Sequence, residues 1–512
     1  MSEQCLARGA RPEIGAIDWY AAITGRVPGS FTLSRRLAFI AGLAALICGL
    51  NLYAPAMPRL DARILASAAI ALAALPTWLW LAGTDRSLPF MPFFGMVFST
   101  YFTVPLFLVH DYRTIWSQAD TPPRLIAAAL GYTLVGLACV MAGYYGPHNL
   151  LIGRVMPRVG MRWRRVGVLR LAGAGFGLLG MVFYLYGRES VSDSLSMLVA
   201  FGSDLCMVGI ALLFAMQLVG ALDRLSKLFL WLALIPARLL IGLTTGLTSQ
   251  GLIVMLLLIF MYSALRHRIP WTLVLAGGLA FVIVRPVETA FRLATWGGGS
   301  QSNLSQLERS RLLLEMVGES VAPMIEGGDS GAYDTAMEVS SRRLGTDVLT
   351  FASVVHDTPG FVPYWDGASY YPLLFKLVPR FIYPDKPKEM TGQTFGHRYG
   401  LLDPNNFETS FNLPQVIEAY INFGPIGVVV VMFLLGAIFR AVQAIFVHPG
   451  MGFGALVSGV YMSILMLQVE SAASLVLGGL IWGFVYMGLL NLAIQSGELE
   501  HPLMFHALAR ND

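Results

Sequence analysis

The sequence predicts an all-α polytopic membrane protein with about 12 transmembrane helices and one large periplasmic loop. Of its 512 residues, 56% are hydrophobic and only 13% are charged, whereas ordinary globular chains hold about 25% charged residues. Apolar runs of roughly 20 residues, enough to cross a hydrocarbon core of about 30 Å, recur along the chain. These features exclude a disordered chain, a small disulfide-linked scaffold and a typical soluble enzyme. The net charge of +4 is too small to indicate nucleic-acid binding.

Twelve spans are predicted. They cover residues 37–54, 63–82, 89–109, 124–144, 168–187, 195–217, 227–245, 250–266, 271–290, 424–446, 451–469 and 472–494. The seventh and eighth spans share one apolar run, in which the glycine-rich residues 242–251 predict a tight helical hairpin. The loop then covers residues 291–423, between an N-terminal part of nine spans (37–290) and a C-terminal part of three (424–494). Tails of residues 1–36 and 495–512 complete the chain.

The cations predict the orientation of these spans. They gather in the N-terminal tail, after the fourth span, before the seventh span and after the eighth. They are Arg8, Arg11, Arg26, Arg35, Arg36, Arg154, Arg158, Arg162, Arg164, Arg165, Arg224, Lys227, Arg266 and Arg268. By the positive-inside rule this side is the cytoplasm, and both termini lie there. A cleaved signal peptide with residues 37–50 as its apolar core is the alternative for the start, but its lead of 36 residues is too long.

The long loop has the opposite charge. Residues 287–423 carry ten lysines and arginines against sixteen aspartates and glutamates, a net charge of −6, which leaves +10 for the rest of the chain. This difference places the loop outside, in the periplasm or exterior. The loop is rich in aromatic residues and is not of low complexity. A segment of this length is usually functional or disordered, and its apolar runs predict that it folds back onto the membrane surface.

Residues 361–388 form the stiffest part of the loop, because proline fixes φ and excludes a long regular helix. Its prolines include Pro372, Pro379, Pro384 and Pro387. The cationic and aromatic side chains beside them are Arg380, Lys386, Lys388, Tyr370, Tyr371 and Tyr383. Such a set suits a phosphate or diphosphate attached to sugar rings. It also suits an interfacial anchor at headgroup level, and the residues alone leave both readings open.

Four residues near the end of the loop carry further chemistry. His397 lies between glycines and is expected on a turn, either as an ordinary surface histidine or as a catalytic one. Glu418, Tyr420 and Asn422 lead into the tenth span from outside. A carboxylate at the start of a helix is favoured by the helix dipole. Glu418 is alternatively a general base or an acceptor for a sugar hydroxyl.

Charges within spans are costly and therefore mark candidate sites. Arg238 and Arg285 lie towards the outer side of their spans and are predicted to converge on an anion such as a diphosphate. The alternative is an internal ion pair of Arg238 with Asp204. The sequence predicts no metal and no cofactor: it has no HExxH, no CxxC, no P-loop and no clustered ligands. The first outer loop is short, with Asp61 alone, so a transferase of this kind would work without metal.

The loop resembles the repeat-unit polymerases of bacterial O-antigen and exopolysaccharide synthesis (Wzy-type). The resemblance covers roughly residues 230–440 and is sharpest over 340–430. Its motifs are Arg343…Asp347, GASY at 367–370, PRFIYPDKP at 379–387, Gly392…Phe395, EAYINFG at 418–424 and Gly427. Residues 242–251 depart from the family pattern, with Thr-Ser-Gln where related chains often carry Ser-Arg or Gly-Arg.

The resemblance implies a GT-C-like architecture and a glycosyltransferase of the bacterial inner membrane. Its donor and acceptor would be glycans linked to undecaprenyl diphosphate, and the reaction would invert the anomeric carbon. A chain-length regulator and a flippase are the implied protein partners, beside the lipid bilayer. The matched roles are the diphosphate for Arg380, Lys386, Arg343, Arg285 and Arg238, the base for Glu418 and then His397, and the sugars for Tyr383, Tyr420 and Asn422.

Three other functions compete with this one. A ligase that moves finished glycan onto a lipid core or a protein needs the same outward diphosphate site. A flippase or secondary transporter for lipid-linked sugars predicts inverted repeats and broken helices, neither of which is evident in the sequence. A non-catalytic scaffold for polysaccharide export would leave Arg380→Ala and Glu418→Ala without effect.

Overall fold

The computed structural model describes residues 14–24, 33–54, 60–85, 87–108, 123–186, 196–296, 304–325, 346–378, 382–383, 385–386, 389–407 and 409–500. Within them the chain is helical and contains no strand. The helices are α1 (Trp19–Thr24), α2 (Leu33–Tyr53), α3 (Leu60–Leu81), α4 (Phe90–Phe102), α5 (Val104–Leu108), α6 (Pro123–Tyr145), α7 (Asn149–Val155), α8 (Val166–Tyr186), α9 (Ser196–Leu218), α10 (Arg224–Leu228), α11 (Ile235–Leu243), α12 (Thr248–Arg266), α13 (Trp271–Thr295), α14 (Gln306–Ile325), α15 (346–357), α16 (Thr391–Arg398), α17 (Gln415–Phe446), α18 (Phe453–Met466) and α19 (Ala473–Glu500). A π-helical segment, Phe229–Leu234, joins α10 to α11.

The chain is a multi-pass helical membrane protein. Among the described residues, eight helical stretches are long and apolar enough to cross a bilayer: α2, α3, α6, α8, the stretch from α10 to α11, α12, α17 and α19. Shorter apolar helices lie at the other four predicted span positions, in α4, α9, α13 and α18. An apolar helix therefore lies at each of the twelve positions that hydropathy predicts.

Some predicted boundaries differ from the structure. The third span is shorter than predicted because the helix is interrupted at Thr103, where α4 ends and α5 begins. The ninth span continues as a helix to Thr295, so the first residues assigned to the loop are helical. The last helix runs to Glu500, past the predicted start of the C-terminal tail. In the last two cases the hydropathy pattern marks only the apolar part of a helix and does not detect the polar turns at its end.

The core of the bundle lies at α18. Every residue of α18 except Leu465 is buried, and a helix that is apolar on all sides belongs in the interior. By contrast, none of the residues of α2 is buried. Asn51 of α2 donates a hydrogen bond to Ser67 of α3 at 3.0 Å, so α2 is attached at the periphery with most of its surface open to lipid.

Two pairs of long helices approach closely through glycine. On α6, Gly143 faces the carbonyl of Phe433 on α17, and Gly436 of α17 faces the carbonyl of Val140 in return, each without space for a Cβ. On α8 and α9, a Cβ at Gly209 would lie 2.6 Å from a backbone nitrogen of the facing helix. Small residues let membrane helices bring their backbones together, so these two glycine seams fix how the four helices pack.

Several of the described connections meet at one end of the bundle. At this end Tyr145, at the end of α6, donates to Asp85 after α3 at 3.0 Å. The N–H of Val159 donates to the carbonyl of Ile445, near the end of α17, at 3.1 Å. Residues 346–414, called the outer segment after the side on which the sequence predicts them, meet the opposite end of α17 through their described part.

Candidate functional site

The hairpin predicted over residues 242–251 is present. It joins α11 to α12 through a turn at residues 244–247. Gly246 has φ +74°, a conformation that favours glycine. The hydroxyl of Thr245 donates to the carbonyl of Gly242 at 2.7 Å and accepts from the N–H of Leu247 at 3.2 Å. The hairpin is thus closed by local hydrogen bonds.

A buried carboxylate lies against this hairpin. Glu288 of α13 is 3% exposed and forms ion pairs with Arg285 and Arg292 on the same helix. The hydroxyl of Thr248, in the first turn of α12, donates to the same carboxylate. Side chains three and four positions apart share a helix face, which explains why α13 brings the three charged groups together. Arg292 also donates to the carbonyl of Gly246 in the turn.

Arg238 reaches the same hairpin from α11. It is 4% exposed, donates to the carbonyl of Gln250 on α12 at 3.1 Å, and its guanidinium carbon lies 4.4 Å from the centre of the Tyr184 ring. Asp204 instead accepts a hydrogen bond from Tyr461 at 2.7 Å and forms no ion pair with Arg238. The alternative of an Arg238–Asp204 pair is therefore not what the described residues show.

The guanidinium cluster, Arg238, Arg285 and Arg292, carries an excess of positive charge. At the hairpin end, the fully described helices α11 to α13 supply these three cations and one carboxylate, Glu288. Among the described residues, the Nε–H groups of Arg238 and Arg285 are buried and have no hydrogen-bond partner. Buried charges are normally paired and hydrogen-bonded. The cluster can therefore accept an anion, and the N-terminal end of α12 adds favourable dipole potential.

Helix α14 covers one side of this cluster. Leu313 of α14 packs on Val287 and Phe291 of α13, and Gln306 donates to the hydroxyl of Thr244 in the turn. Helix α14, in the first part of the predicted loop, thus packs against the hairpin and α13.

At the other end of the outer segment, α17 is broken. Phe423 and Gly424 have non-helical dihedral angles, and Pro425 follows. Gly424 has φ +62°, and a Cβ there would lie 2.7 Å from the hydroxyl of Tyr364. The helix consequently divides into a half-helix of residues 415–422 and a long helix of residues 425–446.

Asn422 ties the outer segment to the half-helix. Its side-chain oxygen accepts from the N–H of Gly367 at 2.9 Å, and its amide donates to Ser369 Oγ and to the carbonyl of Glu418, each at 2.8 Å. Asn422 is fully buried. Two of the three hydrogen bonds hold residues 367–369 and the third stays within the half-helix, so in this conformation Asn422 positions the segment rather than facing a substrate.

We expect Asn422→Ala to lower the free energy of unfolding by about 1–3 kcal/mol, because buried donors and acceptors lose their partners. Equilibrium unfolding in mixed detergent micelles measures the change. Asn405→Ala, at an exposed turn of the same segment, is the control and should stay near wild type. Equal stability of the Asn422 and Asn405 variants would show that the hydrogen bonds to Gly367 and Ser369 do not hold the segment.

Glu418 is fully buried as well. Its Oε2 accepts from the N–H of Ser474 at 3.2 Å, in the first turn of α19, whereas Oε1 has no partner among the described residues. The sequence predicts that Glu418 lies at the start of its own helix, where the helix dipole favours a carboxylate. The structure adds that it also lies at the start of a second helix, α19. It does not face an open cavity in this conformation.

The neighbouring aromatic residues are packed. Tyr420 is 4% exposed, with its ring 5.0 Å from that of Tyr132 and 5.6 Å from that of Phe351. Tyr370 stacks on Phe423 at 6.3 Å. Burial, with a contribution from the Glu418 charge, raises the pKa of Tyr370 far above its usual value, so this phenol stays neutral at physiological pH.

The remaining predicted residues are divided. Arg343 and Arg380 lie outside the described residues. Lys386 donates to the backbone carbonyls of Val378 at 3.1 Å and Lys376 at 3.4 Å. Tyr383 is 38% exposed. Lys386 is thus engaged with the backbone of its own segment, and Tyr383 is the more accessible of the two.

His397 does not lie on a turn, which corrects the expectation drawn from its flanking glycines. It belongs to the last turn of α16, and its Nε2 lies 2.9 Å from the carbonyl oxygen of Asn406. Gly396 is required there by packing, since a Cβ would lie 2.5 Å from Leu402. Gly396 thus marks a close contact of a helix, whereas Gly400, with φ +64° and no atom within 4 Å of a Cβ, forms the turn after it. His397 remains half-exposed.

Apolar side chains cover the outside of this segment. The large exposed ones are Tyr371 (52%), Leu374 (76%), Leu377 (56%) and Ile382 (65%). Lys376 forms an ion pair with Glu389, and its carbonyl accepts from the indole N–H of Trp482 on α19 at 3.1 Å. An apolar surface anchored to a membrane helix fits a segment that lies at the membrane surface.

Sequence reasoning missed Glu288, Arg292 and Tyr184. The signal for the first two was present, because positions 285, 288 and 292 fall on one face of a helix. The contact of Tyr184 with Arg238 had no such signal, since the two residues lie on different helices. Among the described residues, no group of three or more metal-ligating side chains is found.

The comparisons with known proteins identify one family. A family model described as a domain of unknown function, DUF8712, matches residues 176–499. No curated protein and no solved structure matches the chain. The matched range includes the hairpin, the guanidinium cluster, the outer segment and the broken helix.

Proposed function

The chain belongs to the DUF8712 family, a domain of unknown function that covers most of its length, and we propose that it is a membrane glycosyltransferase. It polymerises oligosaccharide repeat units linked to undecaprenyl diphosphate into O-antigen or exopolysaccharide, on the periplasmic face of a bacterial inner membrane. The observation that carries the proposal is the guanidinium cluster, in which Arg285 and Arg292 share the carboxylate of Glu288 while Arg238 reaches the same hairpin through the carbonyl of Gln250.

Such a cluster suits a diphosphate more than a neutral sugar. Guanidinium groups bind phosphate oxygens with paired, charge-assisted hydrogen bonds, and buried cations stabilise the charge that develops on a leaving diphosphate. The apolar helices around the cluster would accept the prenyl tail. The resemblance at residues 340–430 to Wzy-type polymerases points to the same leaving group.

The proposed reaction is a direct displacement. A hydroxyl oxygen of the acceptor glycan forms a bond to the anomeric carbon of the donor, while the bond from that carbon to the diphosphate oxygen breaks. The leaving group is undecaprenyl diphosphate, whose oxygen keeps the electron pair of the broken bond. A base takes the proton of the attacking hydroxyl. His397 is the half-exposed candidate for this base, whereas Glu418 requires the outer segment to open.

A flippase for lipid-linked sugars is the second candidate, and the break in α17 at Phe423 and Gly424 favours it. Broken helices line the binding sites of many transporters. The break here lies near the end of the helix, where it holds the outer segment in place. That position fits a loop support better than a site at the middle of the bilayer.

The test is a gel profile of surface polysaccharide from a source-strain gene deletion complemented with variants that all reach the membrane. Arg238→Gln should slow polymer formation by about 10²–10³ and leave single repeat units without a ladder, while Arg238→Lys should retain part of the ladder. Arg224→Gln is the matched control, since Arg224 lies on the same helical stretch and is exposed. Arg380→Ala tests the predicted cation of the loop in the same gel.

Each pattern decides between the functions. An unchanged ladder for Arg238→Gln would overturn the role of the guanidinium cluster. Accumulation of lipid-linked glycan on the periplasmic side of the membrane, with no repeat unit transferred to the final acceptor, would instead indicate a ligase. Accumulation on the cytoplasmic side would indicate a flippase.

A further inference from the structure

A polar cavity lies at the opposite end of α17 from the outer segment. It has a volume of about 520 Å³ and is lined by residues from the ends of α3, α6 and α17 and from α7. Arg440, which lines it, is 18 residues after Asn422 on α17, or about 27 Å along the axis at 1.5 Å per residue. This is the end that the positive-inside rule predicts to face the cytoplasm. The cavity is therefore separate from the guanidinium cluster and the outer segment.

The cavity is cationic. Arg158 is exposed and makes no hydrogen bond or ion pair with the residues that the structure describes. Arg440 lies over the ring of Tyr144, with its guanidinium carbon 5.5 Å from the ring centre, and it has no ion pair within that part of the chain either. Two guanidinium groups at one cavity favour an anion with several oxygens.

The carboxylate in the cavity does not cancel this charge by pairing. Asp85 accepts from the N–H of Ser87 at 3.0 Å, from its hydroxyl at 2.6 Å and from the hydroxyl of Tyr145 at 3.0 Å. These neutral donors satisfy Asp85, which lies within 4 Å of neither arginine. The exposed Arg158 is thus left to interact with a ligand, and Arg440, which is held beside Tyr144, adds a second guanidinium group to the lining.

Two amide oxygens complete the lining. Gln443 is 2% exposed; its nitrogen donates to Ser463 at 2.7 Å, and its Oε1 has no partner among the described residues. Asn149 donates to the carbonyl of Tyr144, and its Oδ1 is likewise buried without a partner there. A buried acceptor without a donor is costly, so a ligand with hydroxyl groups would satisfy both oxygens.

We propose that this cavity binds a phosphate ester that carries neighbouring hydroxyl groups, such as a polyol or sugar phosphate. The arginines take the phosphate oxygens, and the amide oxygens of Asn149 and Gln443 accept from the hydroxyls. The volume falls within the range of about 300–1,000 Å³ that small-molecule sites occupy. The same chemistry occurs in a soluble phosphate and in a phosphoglycerol lipid headgroup. Because the adjacent α7 exposes Leu150 and Leu151, the test includes both sources.

The experiment uses the full chain purified in detergent and titrated with glycerol 3-phosphate by calorimetry. In parallel, the chain in phosphatidylcholine nanodiscs is compared with and without phosphatidylglycerol by thermal unfolding. The variants are Arg440→Gln and the exposed Arg158→Gln, which should not affect folding. Arg154→Gln is the matched control, because Arg154 lies on α7, is exposed and does not line the cavity.

We expect binding to weaken by about tenfold in Arg440→Gln and Arg158→Gln and to remain unchanged in Arg154→Gln. Binding of glycerol 3-phosphate with this pattern supports a soluble ligand. A stabilisation that appears with phosphatidylglycerol alone and shows the same pattern supports a lipid headgroup. Absence of both effects in the wild type, or an equal loss in Arg154→Gln, overturns the proposal and leaves the proposed glycosyl transfer untouched.

Discussion

Glu288→Ala is expected to lower the free energy of unfolding by about 3–5 kcal/mol, the cost of breaking a buried ion-pair network by removing one partner. Glu288 is the carboxylate shared by Arg285 and Arg292, and it also accepts from Thr248 on α12. Without it, cations remain buried beside one another, and the contact between α12 and α13 loses its polar centre. Equilibrium unfolding in mixed detergent micelles measures the loss.

Two further variants separate charge from packing. Glu288→Gln keeps the size of the side chain and an acceptor for Thr248 but removes the negative charge, so it should retain only part of the stability. Glu315→Ala, at an exposed position on α14, should stay within about 0.5 kcal/mol of wild type. If Glu288→Ala were as stable as Glu315→Ala, the network would not hold the hairpin.

The second large effect is expected at the glycine seam between α6 and α17. Gly143→Ala should cost about 3 kcal/mol, at the upper end of overpacking penalties, because the added methyl group meets the backbone carbonyl of Phe433. A backbone obstruction cannot be relieved by a change of rotamer, so the two helices must separate. The same unfolding measurement reports the change.

Gly131→Ala on the same helix is the matched control. No atom lies within 4 Å of a Cβ at Gly131, and alanine favours a helix interior over glycine by roughly 0.5–1 kcal/mol. The two identical substitutions on α6 should therefore change stability in opposite directions. A stabilised Gly143→Ala protein would mean that the seam is looser than the structure shows.

Hydropathy alone predicts where the helices are, because crossing lipid requires long apolar runs whatever the tertiary structure. The hairpin at residues 242–251 follows from its glycines, since the turn is local. The span boundaries are less predictable. The polar end of α13 continues as helix because α14 packs against it, a contact that hydropathy does not detect.

In the candidate site, too, local patterns are predictable from the sequence and contacts between distant residues are not. The convergence of Arg238 and Arg285 on one hairpin follows from hydropathy and charge. Glu418, by contrast, is held by Ser474, 56 residues away on another helix, and no local pattern predicts that contact. The sequence does not predict the helix at His397, because glycines favour turns. Gly392 and Gly396 lie within this helix and pack closely against Ser410 and Leu402.

The break at Gly424 determines how this protein responds to bilayer thickness. Residues 425–446 form a continuous helix of 22 residues, about 33 Å long at 1.5 Å per residue, which matches a hydrocarbon core of about 30 Å without the half-helix before it. A thicker or thinner membrane is then accommodated by a change in the tilt of this helix. We expect such a change to leave Glu418 and Asn422 outside the lipid, so that these two side chains keep their depth in membranes of different composition.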